Sequence, residues 1–355
     1  MVFLSLGLRA VVNVEALNMV ESVGNIIRHR KVALVYRRGD SYLVRWVPAV
    51  SGESMAHSYQ AWLADLAEKR KLPVCEYCKK HEFVKHADVS VFGFEKWEQE
   101  LASEISSSSK KAKGESKAAA PDALKLMDSI ERRIVENCVV EDIGGFLYAG
   151  ETPVKRTSRF ASSYMVPSLD NVERATIETQ FQVRHAPTAS QKWEQAQMIY
   201  NVEVGSAIYA WSFYIDLSQI GCASMVTKEC FIKPENRRAR IELAIDALAL
   251  MLDTKIFGAK QSRFAPIIDY EIVVATVSDP LPFTVSPPAI GLEFVEDTIK
   301  RAKAFTNATN AFVKIYSYTR DSKLADELRK SGVEVSPTLV DMFNTIKKQA
   351  LQMIR

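Results

Sequence analysis

Hydrophobic and polar residues alternate from the start of the chain. From Val2 to Ala16 every even-numbered position is apolar, whereas the odd-numbered positions include Arg9, Asn13 and Glu15. Because successive side chains of a β-strand point to opposite faces, this period of two predicts a long first strand. Only the even-numbered face is apolar throughout, so we expect one face of the strand to be buried.

A β-hairpin and a capped helix are predicted next. Residues 32–47 form a second strand-like run that turns at residues 38–40, where a glycine stands between Arg and Asp. Ser51 then precedes a helical pattern over about 53–70, and a serine at this position accepts a hydrogen bond from a free amide of the first helical turn. Helix amides beside a basic loop form a natural phosphate site.

The hydrophobic pattern of the rest of the chain predicts the order of the remaining elements. The insertion between the first helix and the next long strand contains a low-complexity stretch, 103–121, for which we expect a mobile loop. The last helix is predicted to begin with Ser336 as N-cap and Pro337 at its first position. The predicted order of elements is strand, hairpin, helix, insertion, strand, helix and strand. This order suits an α+β fold of ferredoxin or RNA-recognition type with large insertions. The other elements read from the pattern are a helix at 122–137, a strand at 199–215, a helix at 237–252, a strand at 267–277, a helix at 293–305 and a strand at 311–318.

Composition restricts the class of protein. The 355 residues are 47% hydrophobic and 25% charged, as in an ordinary globular chain. No apolar run approaches about 18 residues, so we expect no transmembrane helix, and the polar residues of the first strand argue against a signal peptide. Five cysteines at irregular spacing fit a reducing compartment, so the expected location is cytoplasmic.

Positive charge is clustered rather than abundant. The net charge is only +3, yet residues 28–45 contain six Arg or Lys against one acid, and residues 152–169 and 255–263 each contain three Arg or Lys and no acid. Such local excesses suit a polyphosphate backbone, although isolated surface Arg and Lys are also common. No Walker loop or hydrolase motif occurs, and residues 24–37 contain no acid.

A group of potential zinc ligands follows the first helix. Cys75, Cys78, His81 and His86 have the spacing C-x2-C-x2-H-x4-H. All four residues are of types that bind zinc, but the usual gap of about 12 residues between ligand pairs is missing. We therefore expect a buried thiol pair with partly exposed histidines and no metal or other cofactor, with zinc as the alternative.

Eight short segments are distributed along roughly residues 5–277. They are LNMVESVGN at 17–25, VPAVSGE at 47–53, HSYQ at 57–60, GGFLYAG at 144–150, PVKRTSR at 153–159, QFQVR at 180–184, NVEV at 201–204 and SRFAP at 262–266. Together they resemble the DevR-type backbone subunits of CRISPR Cascade complexes, in particular those of archaeal type I-A, and they occur in that family's order.

The resemblance implies a domain plan. A modified RNA-recognition-motif palm would comprise residues 1–72 and 199–279, with an inserted finger-like subdomain at 73–160. Residues 161–198 would form a connection and a thumb loop. The role of a helical extension at 280–355 is not indicated by the resemblance.

The resemblance also implies a function. The protein would be a non-catalytic subunit that binds CRISPR RNA and lines up with copies of itself along the guide. Its further partners would be other Cascade subunits and, through the guide, target DNA, in antiviral defence away from any membrane. Backbone contacts that ignore sequence are what a guide-holding protein needs.

Candidate RNA-binding residues lie in loops that such a palm would place on one face. Family members often have histidine where Gln182 stands, which argues against a titrating role at this position. The candidates are Asn25, Arg28, His29 and Arg30 after the first strand; Ser51, Gly52, Ser54 and His57 at the helix start; Lys155, Arg156 and Arg159 after a glycine-rich turn; Gln182 and Arg184 before the thumb; and Lys260 and Arg263 after the second core helix.

Two other functions remain open at this stage. An endoribonuclease that processes CRISPR precursor RNA would use His29 or His57 as a base. A DNA-binding transcriptional regulator is the second alternative, since the family name derives from a developmental regulator. Related backbone subunits that cut RNA use an aspartate in the loop after the first strand, and the absence of acids at 24–37 favours holding over cutting.

Overall fold

A computed structural model describes residues 1–88, 95–110, 119–185, 197–225, 227 and 229–354. The chain folds into a mixed α+β structure, as the pattern predicts. The strands are β1 Phe3–Glu15, β2 Met19–Val23, β3 Ile26–His29, β4 Lys31–Arg38, β5 Ser41–Pro48, β6 Phe146–Tyr148, β7 Val154–Arg156, β8 Phe160–Ser162, β9 Val166–Pro167, β10 Thr176–His185, β11 Gln197–Asp216, β12 Ile267–Asp279, β13 Phe312–Tyr318 and β14 Glu334–Val335. The helices are α1 Gly52–Lys69, α2 Glu76–Lys79, α3 Glu95–Lys110, α4 Ala119–Asn137, α5 Val139–Gly144, α6 Pro234–Thr254, α7 Gln261–Phe264, α8 Glu293–Thr309, α9 Ser322–Lys330 and α10 Leu339–Met353.

Strand β1 lies at the centre of the main sheet. It pairs antiparallel with β11 on one side and with β12 on the other. Its even-numbered residues as far as Val12 enter the main core, as the alternation predicts. The opposite face is buried as well: Ser5 and Arg9 are only 3% exposed, because the segment after β12 packs over this face and the Val285 amide donates to Ser5 Oγ at 3.1 Å. The expectation of a single buried face is therefore wrong for most of β1.

Helices α1 and α6 cover one face of this sheet. The pairing order is β12–β1–β11, and β8 and β9 both pair antiparallel with β11. Tyr59 of α1 is fully buried and donates to the carbonyl oxygen of Ala244 in α6 at 2.9 Å. The predicted cap is confirmed, since Ser51 Oγ accepts from the Ser54 amide at 3.2 Å. The start of α1 is thus fixed relative to the sheet.

Residues 280–354 continue the sheet and the core. Strand β13 pairs with β12, β14 pairs with β13, and α10 packs against α6. The last helix begins later than predicted, because Thr338 is the N-cap and its hydroxyl accepts from the Asp341 amide at 3.1 Å. The amide of Ser336 instead donates to Ser317 O at 3.0 Å, so this residue belongs to the edge of the sheet.

The inserted subdomain has a small core of its own, to which α3, α4, β6 and β7 contribute. Helix α3 continues to Lys110 and α4 begins at Ala119, so the loop predicted over 103–121 is wrong for residues 103–110 and 119–121, and residues 111–118 lie outside the described part of the chain. Cys222 and Cys230 form a disulfide after β11, which differs from the reduced thiols expected. Within the described ranges, none of the helices combines the length and apolarity needed to cross a membrane.

A buried network of charges joins the insertion to α6. The carboxylate of Asp142 in α5 accepts from Arg156 Nη2 at 2.5 Å, from Arg240 Nη1 at 2.7 Å and from the Gly221 amide at 2.9 Å. Arg156 Nη1 also lies 2.6 Å from Glu131 Oε1 of α4. Since these side chains are almost fully buried, each charge depends on its partners for compensation.

Replacing Asp142 by Asn should therefore be strongly destabilising, because Arg156 and Arg240 would remain buried without their shared anion. We expect the Asp142→Asn variant to lose about 3–5 kcal/mol of unfolding free energy, as for other broken buried pairs. Urea unfolding followed by circular dichroism measures this loss.

A matched control is Glu242→Gln, which removes the exposed pair with Arg238 on the same helix α6. It should cost less than about 1 kcal/mol. Equal stability of the two variants would contradict the importance of the network.

Candidate nucleic-acid interface

The side chain of Asn18 connects two predicted site segments. Its Oδ1 accepts from Arg30 Nε at 2.9 Å and from the Ser51 amide at 2.8 Å. The backbone repeats the link, since the Arg30 amide donates to Asn18 O at 2.9 Å. The structure thus holds the basic segment after β3 against the start of α1. Asn18 was not among the predicted site residues, although it lies within a segment that matches the family.

Gly258 brings a third segment to the same place. Its φ of +75° lies in the left-handed region, and a Cβ here would be 2.8 Å from Leu17 Cβ. The Gly258 amide donates to Ser58 Oγ at 2.9 Å, and the Ala259 amide donates to Leu17 O at 2.7 Å. Because Gly258 has no side chain, the loop that carries Lys260 can pack closely against α1 and against the segment after β1.

Strand β11 supports the remaining side of this surface. Arg263 Nη1 donates to Tyr200 Oη at 2.8 Å, and the Asn201 amide donates to the carbonyl oxygen of Asn25 at 2.7 Å. In the β10–β11 ladder Gln182 is the register partner of Tyr200. We call this surface the basic face and define it by Asn25, Arg28, Arg30, Gly52, Ser54, His57, Gln182, Lys260 and Arg263.

Accessibility differs among these residues. Asn25, Arg28, His57 and Arg263 are exposed, and Arg30 is half-buried. Ser51, which caps α1, is 2% exposed and acts on the helix rather than on a ligand. Gly52 permits the close approach of β8, since a Cβ would lie 2.6 Å from Ser162 O. The backbone of Arg184 continues β10 beyond Gln182.

His29 is not an accessible candidate. The imidazole is buried, with Nε2 2.6 Å from Glu15 Oε1 and Nδ1 2.8 Å from Arg30 O. Burial lowers the pKa of His29, but the Glu15 carboxylate, the Arg30 carbonyl and the charge of Glu203 together raise it more, so this pKa lies above its ordinary value. The expectation that His29 touches RNA or acts as a base is wrong because the ring is paired inside the fold.

The three predicted RNA-binding residues at 155–159 differ in their accessibility. Arg156 is 2% exposed in the buried charge network, so its assignment to a phosphate is wrong. Arg159 is half-buried and donates from Nη2 to Cys222 O at 3.1 Å; burial and then the charge of Arg156 lower the pKa of Arg159 to about 10. Lys155 is exposed on β7, where its ammonium group is accessible to a ligand.

The four potential zinc ligands do not converge as the spacing suggested. His81 Nε2 lies 2.8 Å from Asp65 Oδ1, whereas His86 Nδ1 lies 2.5 Å from Glu141 Oε2. Cys75 and Cys78 lie together, but their thiols face Cys138 and Glu141. Cys138 and Glu141 were not predicted, because they are distant from the motif along the chain.

Exposed apolar side chains mark two hairpins beside the basic face. On β10–β11, Phe181 is 72% exposed, and Val183 is exposed beside its register partner Ile199. On β4–β5, the exposed face includes Tyr42 at 73% and Trp46 at 69%. Buried contacts of β4 and β5 lie on their other face. Both hairpins thus present apolar surface that the described fold does not cover.

Known proteins resemble the chain in sequence and in fold. The family model described as "CRISPR-associated negative auto-regulator DevR/Csa2" matches residues 6–299. Two relatives from Saccharolobus solfataricus, "CRISPR-associated protein Cas7/Csa2 1" and "CRISPR-associated aCascade subunit Cas7/Csa2 2", are 36% and 34% identical over 90% and 96% of this chain, and over 90% and 98% of their own lengths.

A solved structure titled "CRISPR RNA-guided surveillance complex" contains a chain of similar fold. The TM-score is 0.53 at 9% identity, with 98% of this chain and 99% of that chain covered. The family model and the two archaeal relatives cover most of the chain and confirm the resemblance read from its short segments. The protein belongs to the DevR/Csa2 family of CRISPR-associated proteins.

Proposed function

We propose that the protein is a non-catalytic CRISPR RNA-binding backbone subunit of a type I-A Cascade interference complex. The observation that carries this proposal is the basic face, which Asn18 and Gly258 assemble from segments far apart in the chain. The sheet β12–β1–β11 with β8 and β9, covered by α1 and α6, would be its RNA-recognition-type palm.

The basic face suits a phosphate backbone rather than particular bases. Amides at the start of α1 and the side chains of Arg28, Arg30, Lys260 and Arg263 provide hydrogen-bond donors and positive charge. Contacts of this kind fix the position of a strand without reading its sequence. One protein of this design would hold guides of any sequence in a form that pairs with target DNA.

The exposed hairpins suit assembly along the guide. Phe181 and Val183 on β10–β11 would form a thumb that separates bases held by a neighbouring copy. Tyr42 and Trp46 on β4–β5 would pack against the next copy, since exposed apolar groups of this size commonly mark an interface. The proposed setting is antiviral defence in the cytoplasm, together with other Cascade subunits.

Glu21 is exposed and lies 3.8 Å from Arg28 Nη1, but the two other carboxylates near the basic face are held by the fold, which argues against cutting. Glu15 accepts from Tyr209 and the Leu17 amide and pairs with His29. Glu203 accepts from the His29 amide at 3.0 Å and from Lys31 Nζ at 3.0 Å. Both anions are thus committed to the fold, which supports a holding role.

Binding to single-stranded RNA should depend on length and on salt, and hardly on sequence. Each phosphate contact releases counterions, so the logarithm of the affinity should fall linearly with the logarithm of salt concentration. Reversing the charge in Arg28→Glu or Arg263→Glu should weaken binding of all sequences by roughly 1 kcal/mol and reduce the salt slope by about 0.7. Fluorescence anisotropy with labelled RNAs of unrelated sequence provides both values.

The control for this experiment is Lys300→Glu, which reverses an exposed charge on α8. It should leave affinity and salt slope unchanged. If Arg28→Glu and Arg263→Glu are folded and behave like the control, RNA does not bind at the basic face.

Assembly on long RNA should need the exposed face of β4–β5. The double variant Tyr42→Ser/Trp46→Ser should bind an RNA that holds one copy as well as the parent does, but should lose cooperative binding to an RNA that holds several. Mass photometry on RNAs of increasing length measures the copies bound. Leu124→Ser removes an exposed apolar group on α4 and serves as control; retained cooperativity in the double variant would exclude this face from the interface.

Bound RNA should remain intact during long incubation, with or without Mg²⁺. His57 is the exposed histidine of the basic face, and burial followed by the charge of His81 lowers its pKa below 6.5, so it is the residue to test as a base. Denaturing gels of CRISPR precursor RNA provide the readout. Specific products that disappear in His57→Ala would support the processing enzyme instead.

His29→Gln should change stability rather than RNA chemistry. Because the folded-state pKa of His29 is raised above 6.5, its pairing contributes most below that pH and is lost as pH rises through the raised pKa. The stability difference between parent and variant should therefore shrink from pH 6 towards alkaline pH. Urea unfolding at a series of pH values gives this difference; a difference that grows with pH would contradict the charged pair.

A further inference from the structure

Three thiols that the proposed RNA-binding role does not use lie together where α2 and α5 pack against α1. Cys75 precedes α2, Cys78 lies within it, and Cys138 precedes α5. The sulfur atoms and a carboxylate oxygen of Glu141 all lie within 4.8 Å of one another. Cys78, Cys138 and Glu141 are buried, and Cys75 is half-buried. Two segments that are distant in the sequence thus deliver four donor atoms to one point.

The spacing of these donors approaches that of a tetrahedral metal site. Zinc–sulfur bonds of about 2.3 Å place the ligands of a tetrahedron roughly 3.8 Å apart. Cys75 Sγ already lies 3.4 Å from Glu141 Oε1. Small side-chain rotations would complete the site without moving a helix.

Neighbouring residues orient the carboxylate and balance its charge. His86 Nδ1 lies 2.5 Å from Glu141 Oε2, so one carboxylate oxygen is fixed while the other faces the sulfurs. Lys85 donates from Nζ to Gly144 O at 3.1 Å, close to the same cluster. Metal ligands are commonly held by such outer hydrogen bonds. Lys85 and His86 both have positive φ, a conformation that non-glycine residues seldom adopt.

A cluster of thiols and a carboxylate is poorly explained by packing alone. Three of the four residues are buried, and their donor atoms converge to within 4.8 Å of one another. A divalent cation would turn these donors into favourable ligands. Sulfur donors exclude Mg²⁺ and Ca²⁺, which prefer oxygen, and favour Zn²⁺. A pocket of about 260 Å³ lined by Cys75, His86 and Cys138 provides a path of entry.

We propose that Cys75, Cys78, Cys138 and Glu141 bind one structural Zn²⁺, with His86 positioning the Glu141 carboxylate. The site is closed by four protein ligands, so its role is to fasten the segment after α1 to α5. It differs from the motif C-x2-C-x2-H-x4-H in two ligands, since His81 faces Asp65. Glu141 directly precedes Asp142 in α5, so the metal and the buried charge network would hold the same short helix.

The test is to measure metal in the full-length chain, purified without chelators and then supplied with Zn²⁺. We expect one equivalent by mass spectrometry, and Co²⁺ in its place should give the visible bands of a tetrahedral site with the charge-transfer band of three thiolates. Cys138→Ser should lose the metal. His81→Ala should retain it, as should the double variant Cys222→Ser/Cys230→Ser, which removes the disulfide and no ligand.

A second measurement covers variants that fail to fold. Titrating the unaltered protein with a mercurial reagent should release one Zn²⁺ as the three thiols react, and chelation should lower the melting temperature by several degrees. The proposal is overturned if the parent chain binds neither Zn²⁺ nor Co²⁺ at micromolar concentration. Retention of metal by Cys138→Ser, or its loss from His81→Ala, would overturn it equally.

Discussion

The carboxylate of Asp142 holds together two parts of the molecule that are separate in sequence. Arg156 reaches it from β7 and Arg240 reaches it from α6, while Glu131 neutralises the second charge of the group. A buried ion is tolerated only where its partners have defined positions, because desolvation costs several kcal/mol per ion. The network therefore favours the orientation of the insertion on α6 that keeps these hydrogen bonds.

This orientation matters for the proposed RNA-binding surface. Helix α1 lies between the insertion and the basic face: it contacts α2, α5 and α6, and its start meets Asn18 and β8. Ser58 on the same helix receives the Gly258 amide. A single rigid helix thus transmits the placement of the insertion to the loops that would hold phosphate.

Sequence reasoning succeeded where the signal was local. The period of two predicted β1, the turn at residues 38–40 predicted the hairpin, and Ser51 predicted the start of α1. It failed where a partner is remote: nothing near Arg156 indicates that Asp142 and Glu131 will enclose it. The same holds for His29, whose partner Glu15 comes from another strand.

The thiol cluster and the last helix illustrate the same limit in different ways. Spacing suggested His81 as a ligand neighbour, yet the third sulfur is that of Cys138, which only the folded chain brings near. Serine is a residue type that often caps helices, but the amide of Ser336 donates to a strand of the sheet. Thr338 therefore caps the last helix instead. Composition identifies which groups are capable of a role, and packing decides which of them performs it.

The position of β1 has a consequence for how the chain folds during synthesis. This strand is synthesised long before its partners, since β11 and β12 begin only at residues 197 and 267. The apolar residues of β1 therefore remain without their partner strands until most of the described chain has been synthesised. Sheets built from contacts so distant in sequence fold slowly, and their unpaired strands are prone to aggregation until folding is complete. Efficient production in the cell should therefore depend on chaperones that shield the nascent β1.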